Sequence, residues 1–237
     1  MILRIAAVST AGLHEPAQRT LPRLRSWIER SVQSGADVVL FPECTLGHYF
    51  DDPVLAEGPE VSSLVDLARE RQLFLALGIG EEAEGKRYSS YLLLGPEGIV
   101  GRHRKTRWQT DRCPIDLGEQ VRSHLWAGVR VGVLICSESW HPDNVAASLA
   151  KHGAEVLIVP AATGPEPGES ERSLYERMLV ANARSLSVPA ISVGAVGRDL
   201  VGGCMVVDRT GAVRYWQLSS RPEMHRFDLQ VPEGNVL

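Results

Sequence analysis

The chain has 237 residues, 44% of them hydrophobic and 23% charged, and a formal net charge of −4. This is the composition of a globular protein with a substantial core, read as one domain over residues 1–237, and it lacks the clustered Lys and Arg surface that nucleic acid requires. No apolar stretch reaches membrane-spanning length, and Cys44, Cys113, Cys136 and Cys204 form no Cys-x-x-Cys pair, so free thiols in a reducing cytoplasm are expected rather than disulfides or structural zinc.

In chain order, Met1–Val8 holds an apolar stretch too short and too soon interrupted for a signal-peptide core and reads as a first buried strand. Leu21, Leu24, Trp27, Ile28 and Val32 fall on one helical face, with Gly35 as the stop before a strand at Val38–Phe41. Asp51-Asp52-Pro53 reads as a loop, and Tyr91–Leu94 turns through Gly95–Gly98 into Ile99-Val100 as a hairpin. After the strand Val131–Ile135, the residues Pro142, Asp143 and Asn144 suit a helix start and Gly153 its end. The strand Glu155–Val159, a loop at Gly164–Gly168, and a second hairpin from Met205–Val207 through Asp208–Gly211 into Ala212-Val213 complete the alternation of an α/β layered fold.

The halves look alike. Gly35-Ala36-Asp37-Val38-Val39-Leu40-Phe41-Pro42 matches Gly153-Ala154-Glu155-Val156-Leu157-Ile158-Val159-Pro160 at an offset of 118 (35 to 153), and the hairpin glycines repeat at 113 (98 to 211). Two near-equal offsets predict an internal duplication about a pseudo-two-fold axis, giving a four-layer α-β-β-α sandwich. Glycine followed by an apolar run also arises wherever a helix meets a buried strand, so on these residues alone coincidence stays open.

Three residues stand at strand ends, where sites usually form. Cys136 closes the apolar run 131–135, and nearby backbone N–H groups and a cation would favour its thiolate; a buried core cysteine is the other reading. Glu43 follows Leu40-Phe41-Pro42, as a catalytic carboxylate or a solvated loop residue. Lys105 ends the basic run Arg102-His103-Arg104-Lys105, which by itself reads as a solvated surface strand.

Together, Phe41-Pro42-Glu43, Arg104-Lys105 and Gly132–Cys136 resemble the Glu-Lys-Cys signature of the nitrilase (carbon–nitrogen hydrolase) superfamily. Gly118-Glu119, Ala183-Arg184 and Gly202–Asp208 are similar to further motifs of that family, so the resemblance covers nearly the whole chain. It implies that Cys136 attacks a carbon bonded to nitrogen while Glu43 takes the thiol proton and returns it to the departing amine. Lys105 and the backbone N–H of Ser137 would hold the oxyanion, and water would then clear the thioester without metal or organic cofactor.

Departures are also legible. Counting back from Gly118 puts Asp111 where many members carry a second active-site glutamate; Ser187-Val188-Pro189 replaces the usual Glu-Asn, Gly194 stands where asparagine is common, and the C-terminal arm is short. Trp140 and Pro142 make the nucleophile segment most similar to the carbamoyl-amine and aliphatic amide hydrolases, with Ser137-Glu138 in place of the Trp-Glu of true nitrilases. Glu138 is then a helix-start or supporting carboxylate, and Tyr49, Trp108 and Trp140 line a pocket or pack as core aromatics. His48, His103, His124 and His141 read as loop or edge residues, with His141 a candidate substrate contact.

No Gly-x-Ser-x-Gly and no His-Glu-x-x-His is present, which removes the serine-triad and zinc-helix readings. The expectation is an amidase or N-carbamoyl amide hydrolase acting on a small linear substrate, with a homodimer implied by the resemblance. Nitrile hydrolysis or acyl transfer by the same thiol, and a silent binding protein on the same fold, are the competing readings.

Overall fold

The computed structural model describes residues 1–11, 15–108, 114–140 and 148–231. The first half runs β1 (Ile2–Ser9), α1 (Ala17–Gln33), β2 (Val38–Leu40), α2 (Pro59–Arg71), β3 (Phe74–Ala83), β4 (Lys86–Gly95) and β5 (Gly98–Arg104). The second runs β6 (His124–Trp126), β7 (Val129–Val133), a 3-10 turn at Cys136–Trp140, a helical stretch at 148–151, β8 (Val156–Ala161), α3 (Glu171–Leu186), β9 (Ala190–Gly194), β10 (Gly202–Val207), β11 (Val213–Ser219) and β12 (Glu223–Gln230).

Two six-stranded sheets result, ordered β12-β1-β2-β3-β4-β5 and β6-β7-β8-β9-β10-β11. In the first, β1, β2 and β3 are parallel, and β4 and β5 add antiparallel as hairpins. In the second, β7, β8 and β9 are parallel, and β10 and β11 follow in the same way. Each sheet also gains one antiparallel edge strand beside its first parallel strand, β12 on β1 and β6 on β7. The expected duplication is therefore present in the strand order, and both predicted hairpins form where the sequence placed them.

Burial explains the layering. On the first sheet Val39, Phe41, Leu75, Leu77, Leu92 and Leu94 pack outward against Leu24 and Ile28 of α1 and Leu64 and Leu67 of α2. Alternate residues of the same strands, Leu40, Ala76, Tyr91 and Leu93, face inward and join Val131, Val133, Leu157 and Ile191 of the second sheet. That inner core continues to Leu174, Met178 and Leu179 of α3, so helix, sheet, sheet and helix stack in four layers. Among the described residues no helix is long and apolar enough to cross a membrane.

Candidate active site

The three strand-end residues, one after β2, one after β5 and one after β7, meet in the interior between the sheets. Glu43 leaves β2 on a segment that lies across β3, held by hydrogen bonds from Phe41 N to Ala76 O, Thr45 N to Gly78 O and Gly78 N to Pro42 O. The approach is close enough that a Cβ on Gly78 would fall 2.5 Å from Cys44 N and 2.6 Å from Glu43 Cα. Gly80 makes the same allowance for His48 and Tyr49. The Gly-x-Gly of β3 thus lets the chain after β2 fold flat on the sheet and turn the Glu43 carboxylate inward.

Lys105 arrives by strand alternation. Gly101, His103 and Lys105 are buried, whereas Arg102 and Arg104 are fully or partly exposed and bind Glu81 at 2.9 and 2.7 Å. The basic run is therefore a solvated strand on one side only, and Lys105 is 3% exposed. Its Nζ donates to Glu43 Oε1 at 2.8 Å, and Ser89 Oγ donates to the same oxygen at 3.1 Å.

Cys136 follows β7 after Leu134 and Ile135, and opens the 3-10 turn with φ 47°. A left-handed backbone at a residue with a Cβ costs about 1–2 kcal/mol. Tertiary bonds hold it: Ser139 Oγ donates to Cys136 O at 2.6 Å, and Asn182 Nδ2 of α3 donates to Ser139 O at 2.7 Å. The polar residues that the sequence places after the nucleophile form this turn, with Ser137, Glu138 and Ser139 all buried.

Burial and the Glu43 carboxylate push the Cys136 thiol up to about 12, although Lys105 and a hydrogen bond from the Ala162 backbone act in the opposite sense. A thiol held up in this way needs a base at hand for attack, and the Glu43 carboxylate is beside it. For Lys105, burial opposes the charged form, but Glu43 and Cys136 outweigh it and raise the ammonium above its ordinary value. A buried cation beside a buried carboxylate and a thiol can stabilise negative charge developing on a substrate oxygen.

The remaining predicted residues divide. Trp108 lies over Lys105 Nζ at 4.7 Å, and Tyr49 meets Trp108 edge-on at 6.0 Å, so both belong to the wall of the site. Trp140 packs against the inner core with the Arg177 guanidinium 4.7 Å over its ring. Ser137 Oγ donates to Arg107 O at 3.4 Å. Asp111, Cys113, His141 and the helix start expected at Pro142–Asn144 lie outside the described residues. Glu138 is fully buried and accepts four hydrogen bonds rather than facing open space. His48 and His103, read as loop or edge residues, are 3% exposed; His103 is on the edge strand β5 but points inward to Glu138.

Sequence reasoning missed Ser89, His103, Thr106, Ala162 and Arg177. Alternation along β4 and β5 could have found the first two, because Ser89 shares a face with Tyr91, and His103 with Lys105. Gly194 also gains an explanation: a Cβ there would fall 2.0 Å from the Tyr175 hydroxyl, which donates to Val201 O at 2.9 Å. A buried tyrosine from α3 occupies the space that a larger residue at 194 would need.

Two buried carboxylates give a pH prediction. Burial raises the Glu138 carboxyl, but His103 and Thr106 outweigh it; burial raises Glu81, but Arg104, Ser90 and Arg102 outweigh it; both end below their ordinary value of 4.5. Depressed carboxyls stabilise the fold fully above that value and lose the contribution as pH falls through the lower folded-state value. Melting temperature should be level between pH 7 and about 5 and fall steeply below about 4.5. A melting curve unchanged down to about pH 3 would contradict these assignments.

The carbon-nitrogen hydrolase family profile matches residues 4–217. An (R)-stereoselective amidase from Pseudomonas sp. is 31% identical over 225 residues, covering 90% of this chain and 80% of that enzyme. An N-carbamoylputrescine amidase from Solanum lycopersicum is 28% identical over 191 residues, covering 71% of this chain and only 63% of the relative. Among solved structures, a mutant of the amidase from Nesterenkonia sp. AN1, with the acetamide moiety of fluoroacetamide added covalently at its active-site cysteine, superposes with TM-score 0.79. The identity there is 22%, over 96% of this chain and 90% of that one, which establishes a shared fold.

Proposed function

Because the chain belongs to the carbon-nitrogen hydrolase family, we propose that it hydrolyses the C–N bond of a small linear amide or N-carbamoyl compound through a thioester on Cys136. The observation that carries this is the buried contact of Glu43 with both Lys105, at 2.8 Å, and the Cys136 thiol. The (R)-stereoselective amidase and N-carbamoylputrescine amidase relatives support the substrate class, and the adduct on the Nesterenkonia cysteine supports the covalent route.

The steps follow from the donors present. Cys136 Sγ bonds to the carbonyl carbon while its proton passes to Glu43, and the oxygen takes up negative charge beside Lys105 Nζ. The Ser137 N–H is the second oxyanion donor in this reading. Collapse breaks the C–N bond as Glu43 returns the proton to the leaving nitrogen. Water then gives a proton to Glu43 and its oxygen to the acyl carbon; the C–S bond breaks, and Glu43 reprotonates the sulfur as the carboxylate product leaves. Trp108 covers Lys105 and keeps water from screening the charge.

We infer a single catalytic domain working in the cytoplasm, in keeping with Cys44, Cys136 and Cys204 as free buried thiols. The homodimer and a role for Asp111 toward the substrate rest on the family resemblance, and His141 is a further candidate substrate contact by its place after the nucleophile turn. The function is tested by incubating the enzyme with linear amides, N-carbamoyl amines and nitriles, following ammonia, amine and carboxylate release. Amides or carbamoyl compounds should be turned over, with a transient mass increase on the Cys136 peptide. Turnover confined to nitriles, or none together with no adduct, would remove the proposal.

A further inference from the structure

Glu138 is a buried carboxylate beside the site that the mechanism leaves unused. It is 0% exposed, and each of its oxygens accepts two hydrogen bonds. Oε1 takes Thr106 N at 2.7 Å and Thr106 Oγ1 at 2.6 Å; Oε2 takes Ile135 N at 2.7 Å and His103 Nε2 at 2.7 Å. A carboxylate only accepts, so the Nε2 of His103 carries the hydrogen. Burying an ionised group is tolerated when its lone pairs are filled in this way.

The donors are not scattered. His103 and Thr106 flank Lys105, and Ile135 immediately precedes Cys136. Lys105 follows β5 of the first sheet, and Cys136 follows β7 of the second. The two sheets meet through apolar packing, which is non-directional, whereas hydrogen bonds to one buried carboxylate fix position and direction. Backbone N–H groups on both sides are included, so the grip is on the main chains that carry the reacting side chains.

We propose that Glu138 is a positioning residue that sets Lys105 against Cys136 across the two sheets; this rests on the reading of Glu43, Lys105 and Cys136 given above. Its carboxylate touches neither substrate nor reacting atoms. It fixes where the ammonium stands relative to the sulfur, and thus where an oxyanion formed by attack finds its donor. A displacement near 1 Å in such an arrangement lowers the rate by about 10²-fold. Binding of the ground-state amide depends far less on that distance, so the loss belongs in kcat.

The test uses the fastest substrate of the amide and carbamoyl series with Glu138→Gln, Thr106→Val and Thr106→Ser. Glutamine keeps the shape but turns one acceptor oxygen into a donor. For a folded Glu138→Gln, kcat should fall by about 30-fold or more with KM within about threefold. Thr106→Val should lower kcat by about fivefold through one lost donor, and Thr106→Ser should recover most of it. A role confined to folding would lower the melting temperature without this division between kcat and KM and without the hydroxyl rescue.

A kcat within twofold of the parent in folded Glu138→Gln, or a loss lying wholly in KM, overturns the proposal. If Glu138→Gln does not fold, Thr106→Val decides, and unchanged kcat there overturns it. Failure of the underlying reading is distinguishable: the parent enzyme itself would release no product and take no mass adduct on Cys136, and both ideas would fall together.

Discussion

Replacing Cys136 with alanine is expected to abolish turnover, by about 10⁴-fold or more, while leaving a folded chain. The reasoning is specific to the site's chemistry. Without sulfur there is no covalent route, and Glu43 has no proton to take at the attacking position. The residue is 4% exposed and keeps φ 47°, so alanine inherits the same backbone and leaves only a sulfur-sized void. The loss of fold stability should therefore stay near about 1–2 kcal/mol. Product assays with intact-mass analysis check both halves: no thioester mass on the variant, against a transient one on the parent. Residual turnover within tenfold of the parent would exclude Cys136 as nucleophile.

The second large effect is expected at Lys105→Met, which should lose activity and stability together. Removal of an oxyanion donor typically lowers kcat by about 10²–10³-fold. Removal of one member of a buried ion pair also strands its partner, at about 3–5 kcal/mol. Both partners qualify, since Lys105 and Glu43 are 3% and 5% exposed and 2.8 Å apart. Adding Glu43→Gln should recover part of the stability, because the stranded carboxylate becomes neutral, yet leave activity at least as low. Denaturant unfolding of the two single variants and the double variant reads this coupling. Additive stabilities in that cycle would show that the pair is not an energetic unit.

The alkaline behaviour of the same pair is also determined. A cation whose folded-state value is raised contributes stability in full below its ordinary value of 10.5 and loses the contribution only as pH climbs through the higher one. The Lys105 contribution is accordingly constant across neutral pH, and acid sensitivity must come from carboxyls such as Glu138.

Much of this architecture is legible in the sequence. The match of residues 35–42 with 153–160 reports the same helix-to-strand junction in each half, because a buried parallel strand must be apolar on both faces and needs a stop in the chain before it. The order of Glu43, Lys105 and Cys136 is likewise readable, since each lies next to a local strand signal. The protonation state of Cys136 is not, because it depends on burial and on a carboxylate 93 positions away (43 to 136). Glu138 is ambiguous for a related reason: three of its four bonds reach 30 residues or more along the chain. His103 and Lys105 are readable as buried once the period of two is followed through the basic run, but charge suggests solvent.

The repeated strand plan has a consequence for how the chemistry is divided. Val38 pairs with Ile5 as Val156 pairs with Val131, so the counterpart of Cys136 in the first half, five residues beyond Ile5, is Thr10, while Glu43 corresponds to Ala161. Neither half holds a complete set: one supplies acid–base and cationic groups, the other the sulfur and its turn. Two pieces alike in strand order are thus unequal in the groups they bring to the site. Expressed alone, either piece would lack a reagent as well as a face for its sheet, so catalytic competence is a property of their apposition.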